Sequence, residues 1–187
     1  MEQKFYHMTI AGLERDLPLC RLNDKIMIGA FVIFGDPELT VACAGKLLEK
    51  APEYDYIIAP EAKAIPLIHE MARQDGNRRY ILARKNPKLY MSGVFRASVR
   101  SITTDKEQVL YLDTADAELM KGKRIIILDD VISTGESLRA VEALVNKAGG
   151  NIIARMCILA EGDAASRDDI IFLEKLPLFD SQGNPID

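Results

Sequence analysis

Two adjacent carboxylates, Asp129 and Asp130, directly follow the apolar run from Ile125 to Leu128, and three positions later a small polar set begins, Ser133-Thr134-Gly135-Glu136-Ser137. Ionised carboxylates only accept, so a neighbouring pair suits sugar-type hydroxyl groups or a hydrated cation. A short Ser-Thr-Gly loop feeding a helix offers backbone N–H groups and a positive dipole end to an anion. The elements needed to position both groups are written on either side. Four apolar residues, three of them β-branched, predict a buried parallel strand ending at the acids. Leu138, Val141, Leu144, Val145 and Ala148 share one helical face, with Gly149-Gly150 as the stop. In an open α/β sheet, ligands bind beyond the carboxyl ends of the strands. Two other readings exist. One is a plain buried strand with two solvated acids and an ordinary loop. The other is the acidic strand end of a P-loop NTPase, which fails because Gly45-Lys46 is followed by Leu47 and Gly122-Lys123 by Arg124, where Ser or Thr is required.

The thirteen residues from Ile125 to Ser137 resemble the phosphoribosyl-pyrophosphate (PRPP) signature of the type I phosphoribosyltransferases. The resemblance implies that Asp129 and Asp130 hold the ribose 2′ and 3′ hydroxyls. It gives the 5′-phosphate to Ser133, Thr134, Gly135, Glu136 and Ser137, with Glu136 standing where the family often has a second Gly. The turn Glu61-Ala62-Lys63-Ala64 is similar to the Glu-small-Arg/Lys-Gly turn of the purine branch, which holds pyrophosphate and often contains a cis non-proline peptide; here Ala64 replaces the Gly. Arg84, Lys85 and Lys88 match the family's basic exit loop, which grips the diphosphate, sometimes across a dimer interface. The segment from Tyr90 to Thr104 falls where the family keeps a mobile lid. Its Ala97-Ser98-Val99-Arg100-Ser101 resembles the xanthine enzymes, and it lacks the Glu that many adenine enzymes carry there.

This resemblance is strong over residues 55–161. It implies a type I phosphoribosyltransferase-like α/β fold: a parallel sheet with helices on both faces and a small hood from the two chain ends. The expected division of the single domain is a hood of roughly 1–35 and 162–187 over a PRPP-binding core of 36–161. The implied reaction is displacement of pyrophosphate from PRPP by a purine nitrogen. Mg²⁺ is the implied cofactor, bound mainly through PRPP without direct protein ligands, with Asp129 or Asp130 just outside its ligand shell. Adenine is the favoured base, because Glu161 is followed by Gly162 where xanthine enzymes tend to place a Lys. Asp16-Leu17-Pro18 and Phe34-Gly35-Asp36-Pro37 also resemble adenine-enzyme hoods. The alternatives are a xanthine/guanine enzyme and a non-catalytic, PRPP-binding regulatory protein. PRPP, a purine and a second copy of the chain are the expected partners.

Composition agrees with this and excludes other classes. At 187 residues and 48% hydrophobic content the chain suits one soluble domain. No apolar run approaches the ~20 residues of a membrane helix, and Met-Glu-Gln-Lys-Phe-Tyr lacks a signal-peptide core. Cys20, Cys43 and Cys157 have no metal-ligand spacing, which predicts a reduced, cytoplasmic protein. His7 and His69 are too few for a metal cluster and read as surface or packing residues. A net charge of −4 and the lack of a helix-turn-helix segment argue against nucleic acid. Yet seven basic residues and no acid lie between Arg78 and Arg100, which fits a small polyanion.

Around these motifs the pattern predicts strands over Phe5–Ile10, Lys25–Phe34, Asp55–Ala59, Arg79–Ala83, Glu107–Leu112 and Asn151–Ala160, with a loop through Asp16-Leu17-Pro18. Asp36-Pro37-Glu38 announces a helix to about Lys50, with a capping acid and Pro in the first turn. Further helices are expected over 64–74 and, capped by Thr114, to Met120. The last residues, from Ile170, read as one or two small strands.

Overall fold

Residues 3–100 and 107–186 are described in the computed structural model. The chain opens with β1 (Phe5–Ile10), β2 (Leu13–Arg21) and β3 (Ile26–Gly29) in antiparallel order. Ala11 and Gly12 join the first two with φ of 51° and 85°, the paired positive values of a tight hairpin turn. β2 replaces the loop expected around Asp16-Leu17-Pro18. Proline is tolerated because Leu19 N–H bonds Lys4 O at 2.9 Å, which turns the Pro18 nitrogen away from β1. On the other side Pro18 only accepts, from Ala30 N–H at 2.9 Å, and the ladder ends there. β3 is correspondingly shorter than the run from Lys25 to Phe34. His7 lies on the surface of β1, between Glu14 (2.7 Å) and Asp16 (2.8 Å).

The first helix, α1 (Pro37–Lys50), starts where the sequence predicts, Asp36 accepting from Leu39 N–H at 3.0 Å. Then come β4 (Tyr56–Pro60), α2 (Ile65–Gln74), β5 (Ile81–Ala83) and a two-stranded antiparallel hairpin, β6 (Val94–Arg100) and β7 (Glu107–Asp113). That hairpin takes up much of the segment expected to be a weakly patterned lid; residues 101–106 lie outside the described residues. Next is α3 (Thr114–Met120), capped by Asp113 rather than Thr114: the Asp113 carboxylate accepts from Ala115 N–H at 3.1 Å. β8 (Arg124–Ile132), α4 (Glu136–Ala148) and β9 (Asn151–Glu161) follow, with a 3₁₀ turn over Gly162–Ser166. β10 (Ile171–Leu176), β11 (Leu178–Asp180) and β12 (Pro185–Ile186) complete the chain.

The core sheet is parallel, in the order β10-β9-β8-β4-β5. β10, which falls in the stretch 162–187 read as hood, thus belongs to the core. Its Ile171-Phe172-Leu173 run is too short to separate a core strand from a hood strand by pattern. The hood sheet has the order β1-β2-β3-β11-β12 and is built from both chain ends. Alternation along β8 supplies two cores. Ile126 and Leu128 pack with Leu39, Leu47, Leu67 and Met71 of α1 and α2 on one face. Ile125 and Ile127 pack with Met120, Val141 and Leu144 of α3 and α4 on the other. Each such buried side chain contributes roughly 1.5–3 kcal/mol. A latch joins hood to core: Arg15 of β2 grips Asp36 (2.6 and 3.1 Å) and Glu38 (2.9 Å) at the start of α1. No helix among the described residues is long and apolar enough to cross a membrane.

Candidate active site

The acids do not end β8, which continues to Ile132. They stand where its neighbours diverge. Pairing with β4 stops at Ile58–Ile127, whereas pairing with β9 continues to Ile132–Ala160. The sheet therefore opens beside Asp129 and Asp130. Asp130 is 2% exposed, and its Oδ2 lies 2.9 Å from Lys63 Nζ, an ion contact without the alignment of a hydrogen bond. Asp129 accepts from the Asp130 N–H at 2.9 Å. Burial, and then the charge of Asp130, push the Asp129 carboxyl well above the ordinary carboxylate range; that N–H and Lys63 only partly offset them.

Beyond the acids the chain turns through Ser133 and Thr134 into α4. The cap is Gly135, in the left-handed region at φ +74°. Where α1 and α3 have Asp36 and Asp113 as caps, α4 has Gly135, so among the described residues no cap side chain covers the N–H groups of its first turn. Arg139 closes the turn, its N–H bonding Gly135 O at 2.9 Å and its Nη1 bonding Thr134 O at 3.2 Å.

On the β4 side, the Glu61–Ala62 peptide is cis. Glu61 N–H bonds Ala83 O at 2.8 Å, and its Oε2 accepts from Lys85 N–H at 3.1 Å. The turn is thereby fastened to the exit loop of β5. Ala64 is fully buried and caps α2 with its backbone.

These pieces enclose one continuous cleft. Its first half is lined by Ser133 to Ser137 with Asp129 and Val131, and its second by Glu61, Ala62, Lys63, Lys85 and both acids. Gln108, Asp129, Val131 and Ser137 line both halves. Three residues named from the sequence are not among this lining: Ala64, Arg84 and Lys88. Arg84 turns its Nε towards Glu61 Oε2 at 3.2 Å, and Lys88 is half-buried on the loop beyond. Sequence reading missed Gln108 and Leu110, which reach the cleft from β7. The available signal was alternation: Gln108, Leu110 and Leu112 share one face, and a polar residue heads an otherwise buried row.

Among the described residues no three His, Cys, Asp or Glu side chains converge to hold a metal. The acid pair, balanced by one ammonium, still offers oxygen donors and surplus negative charge of the kind a hydrated Mg²⁺ accepts.

N–H groups at a helix start beside two carboxylates, at the carboxyl edge of a parallel sheet, make an α/β cleft whose chemistry suits a sugar phosphate. Comparison with known proteins agrees and narrows the class. The pattern of the phosphoribosyl transferase domain matches residues 40–187. An adenine phosphoribosyltransferase of Thermosipho africanus is 32% identical over 166 residues, covering 88% of this chain and 94% of its own. The adenine phosphoribosyltransferase of Petrotoga mobilis is 28% identical, covering 77% and 81%. A hypoxanthine/guanine phosphoribosyltransferase of Methanococcus voltae is 32% identical over a shorter stretch, 60% and 56%. In fold, the chain is similar to the Saccharomyces cerevisiae adenine phosphoribosyltransferase solved with an imino-altritol bisphosphate and adenine (TM-score 0.62, 21% identity, covering 91% and 93%). The chain belongs to the phosphoribosyltransferase family.

Proposed function

We propose that this phosphoribosyltransferase moves the ribose 5-phosphate of PRPP onto adenine and releases pyrophosphate. The observation that carries the reading is the order of groups along one cleft: anion cradle, acid pair, lysines. It repeats the order of 5′-phosphate, ribose hydroxyls and diphosphate along PRPP. The cradle from Ser133 to Ser137 anchors the phosphate through backbone N–H groups. Asp129 and Asp130 accept from the 2′ and 3′ hydroxyls, and Lys63 and Lys85 face the diphosphate, with Glu61 and Ala62 shaping the turn. Arg84 acts here by holding Glu61 in place, and Lys88 and Ala64 support the loops from outside the cleft.

Displacement at C1 passes through an oxocarbenium-like state, so fixing both ends of PRPP aligns the purine nitrogen with the breaking bond. The hairpin of β6 and β7 covers the ribose region and limits water, which would otherwise hydrolyse PRPP. Mg²⁺, when bound, would neutralise diphosphate charge; Asp129 and Asp130 are the residues that would face it, through the ribose hydroxyls and its water ligands.

Adenine is supported by the Thermosipho and Petrotoga relatives, adenine phosphoribosyltransferases that match most of this chain, and by Gly162 after Glu161. The Methanococcus relative supports a second reading, an oxo-purine substrate. We further propose a homodimer, because Leu89 is fully exposed and Tyr90 largely so beside Lys88; a monomer by light scattering would remove that part. The enzymatic reading is tested by pyrophosphate release from Mg-PRPP with and without adenine. Tight PRPP binding with no release for any purine would leave a regulatory PRPP-binding protein instead.

A further inference from the structure

The strand β7 carries a polar residue where its own pattern calls for an apolar one. Leu110 and Leu112 are completely buried, and Gln108, on the same face, continues their row into the cleft. Gln108 is half-buried, and among the described residues its side-chain amide has no hydrogen-bond partner. It is nevertheless held in place. Tyr111 exchanges both backbone hydrogen bonds with Arg84, at 2.8 Å each, which ties β7 to the loop carrying Lys85. Gln108 itself pairs with Val99 in the hairpin. It lines the cradle half and the lysine half alike, as Asp129 does, and so stands at their junction.

A half-buried amide that meets no partner among the described residues and faces a polar cleft can serve a ligand there. The chemistry at the junction says which part. Ionised carboxylates only accept, so ribose hydroxyls donate hydrogen bonds to them and are left with free lone pairs. What those lone pairs need is an N–H donor that adds no charge beside the acids, and Gln108 Nε2 is one. We propose that Gln108 is a positioning residue that donates to the ribose hydroxyls held by Asp129 and Asp130, closing the sugar between β8 and the hairpin. The inference rests on the phosphoribosyl reading above.

The probes are ribose 5-phosphate and inorganic pyrophosphate, titrated separately by calorimetry into the full-length chain and two variants. Gln108→Leu suits the apolar row; Gln108→Met keeps the length and adds no charge but offers no N–H. Both are expected to bind ribose 5-phosphate about tenfold more weakly, the size of one lost hydrogen bond to a neutral group. Pyrophosphate affinity and the melting temperature without ligand should stay unchanged. In turnover, KM for PRPP should rise while KM for the base stays constant. Equal loss of both ligands would mean that Gln108 shapes the cleft as a whole, and would overturn the assignment. So would unchanged ribose 5-phosphate binding in either folded variant. If the unaltered protein itself fails to bind ribose 5-phosphate, the phosphoribosyl reading falls, and this inference with it.

Discussion

Asp129 is the residue at which function and stability pull in opposite directions. It is half-buried next to Asp130, and desolvation and that neighbouring charge both favour the neutral form. In the unfolded chain the same group titrates at an ordinary value near 4. Between that value and the raised native one, the unfolded state has already lost the proton and the native state still holds it. Folding therefore loses stability as pH rises through this window, and the loss persists above it. Asp129→Asn keeps the shape and the acceptor for the Asp130 N–H while removing the ionisation. It should melt higher than the unaltered protein at neutral pH, with the gap closing towards about pH 4. Each kcal/mol recovered moves Tm by roughly 2–4 °C in a chain of this size. Turnover should fall about 10- to 100-fold, as expected for a lost hydrogen bond to a charged group. Melting curves across pH, paired with kcat/KM, decide it: a variant that melts lower at pH 7 would make Asp129 a structural residue. The acids, Lys63 and the Ser-Thr-Gly loop were legible because adjacent residues write them out. The Arg84–Glu61 contact and the place of Gln108 were not, since both depend on which strands become neighbours.

At the scale of the element, α4 allows a controlled comparison, because it begins and ends on a left-handed glycine. Gly135 has φ +74° and Gly149 φ +77°, so a side chain is strained at either end. Their surroundings differ. A Cβ on Gly149 would meet Lys121 Cγ at 3.7 Å, an ordinary contact, whereas on Gly135 it would lie 3.3 Å from Arg167 Nη1. Gly149→Ala is therefore expected to cost about 1 kcal/mol of stability and to leave PRPP binding alone. Gly135→Val should cost comparable strain and also weaken PRPP binding at least about tenfold, because the backbone can no longer offer its N–H groups in the same arc. Urea unfolding and PRPP titration of both variants separate the two effects, and unchanged affinity in Gly135→Val would move the phosphate site elsewhere. Other elements show where pattern reading stops. α1 was legible from Asp36-Pro37-Glu38, since a cap is a local signal. β2 was hidden by Pro18, whose missing N–H matters only if the ladder needs it there. β10 was legible as a strand, but its choice of the core sheet over the hood is made by partners distant in sequence.

On the proposed reading the base is chosen at the scale of the whole molecule, because the hood sheet near the end of β9 is built from both chain ends. β11 pairs with β3, and the Arg15 latch fixes that sheet against α1. Near the carboxyl end of β9, a Cβ on Gly162 would lie 3.2 Å from Leu178 Cδ1 of β11, so the hood closes there against an apolar wall. An oxo-purine benefits from a cation or N–H donor near O6, and a Lys at position 162 would supply one. This chain has Gly162, then an exposed Asp163, which would repel a carbonyl oxygen and suit the amino group of adenine. A site built for one donor-acceptor pattern rejects the other strongly. Adenine should therefore exceed hypoxanthine, guanine and xanthine by at least ~10-fold in kcat/KM, about 1.4 kcal/mol of transition-state discrimination. The same logic gives a directed variant. Gly162→Lys, although strained at φ +54°, should narrow the gap between adenine and xanthine even as total activity drops. Initial rates with the four bases at equal PRPP, for both proteins, are the measurement. Xanthine or guanine preferred by the unaltered enzyme would sink the adenine assignment and leave the family intact. An unchanged preference in the variant would place the discriminating contacts away from the end of β9, on the hood strands of the N-terminal side.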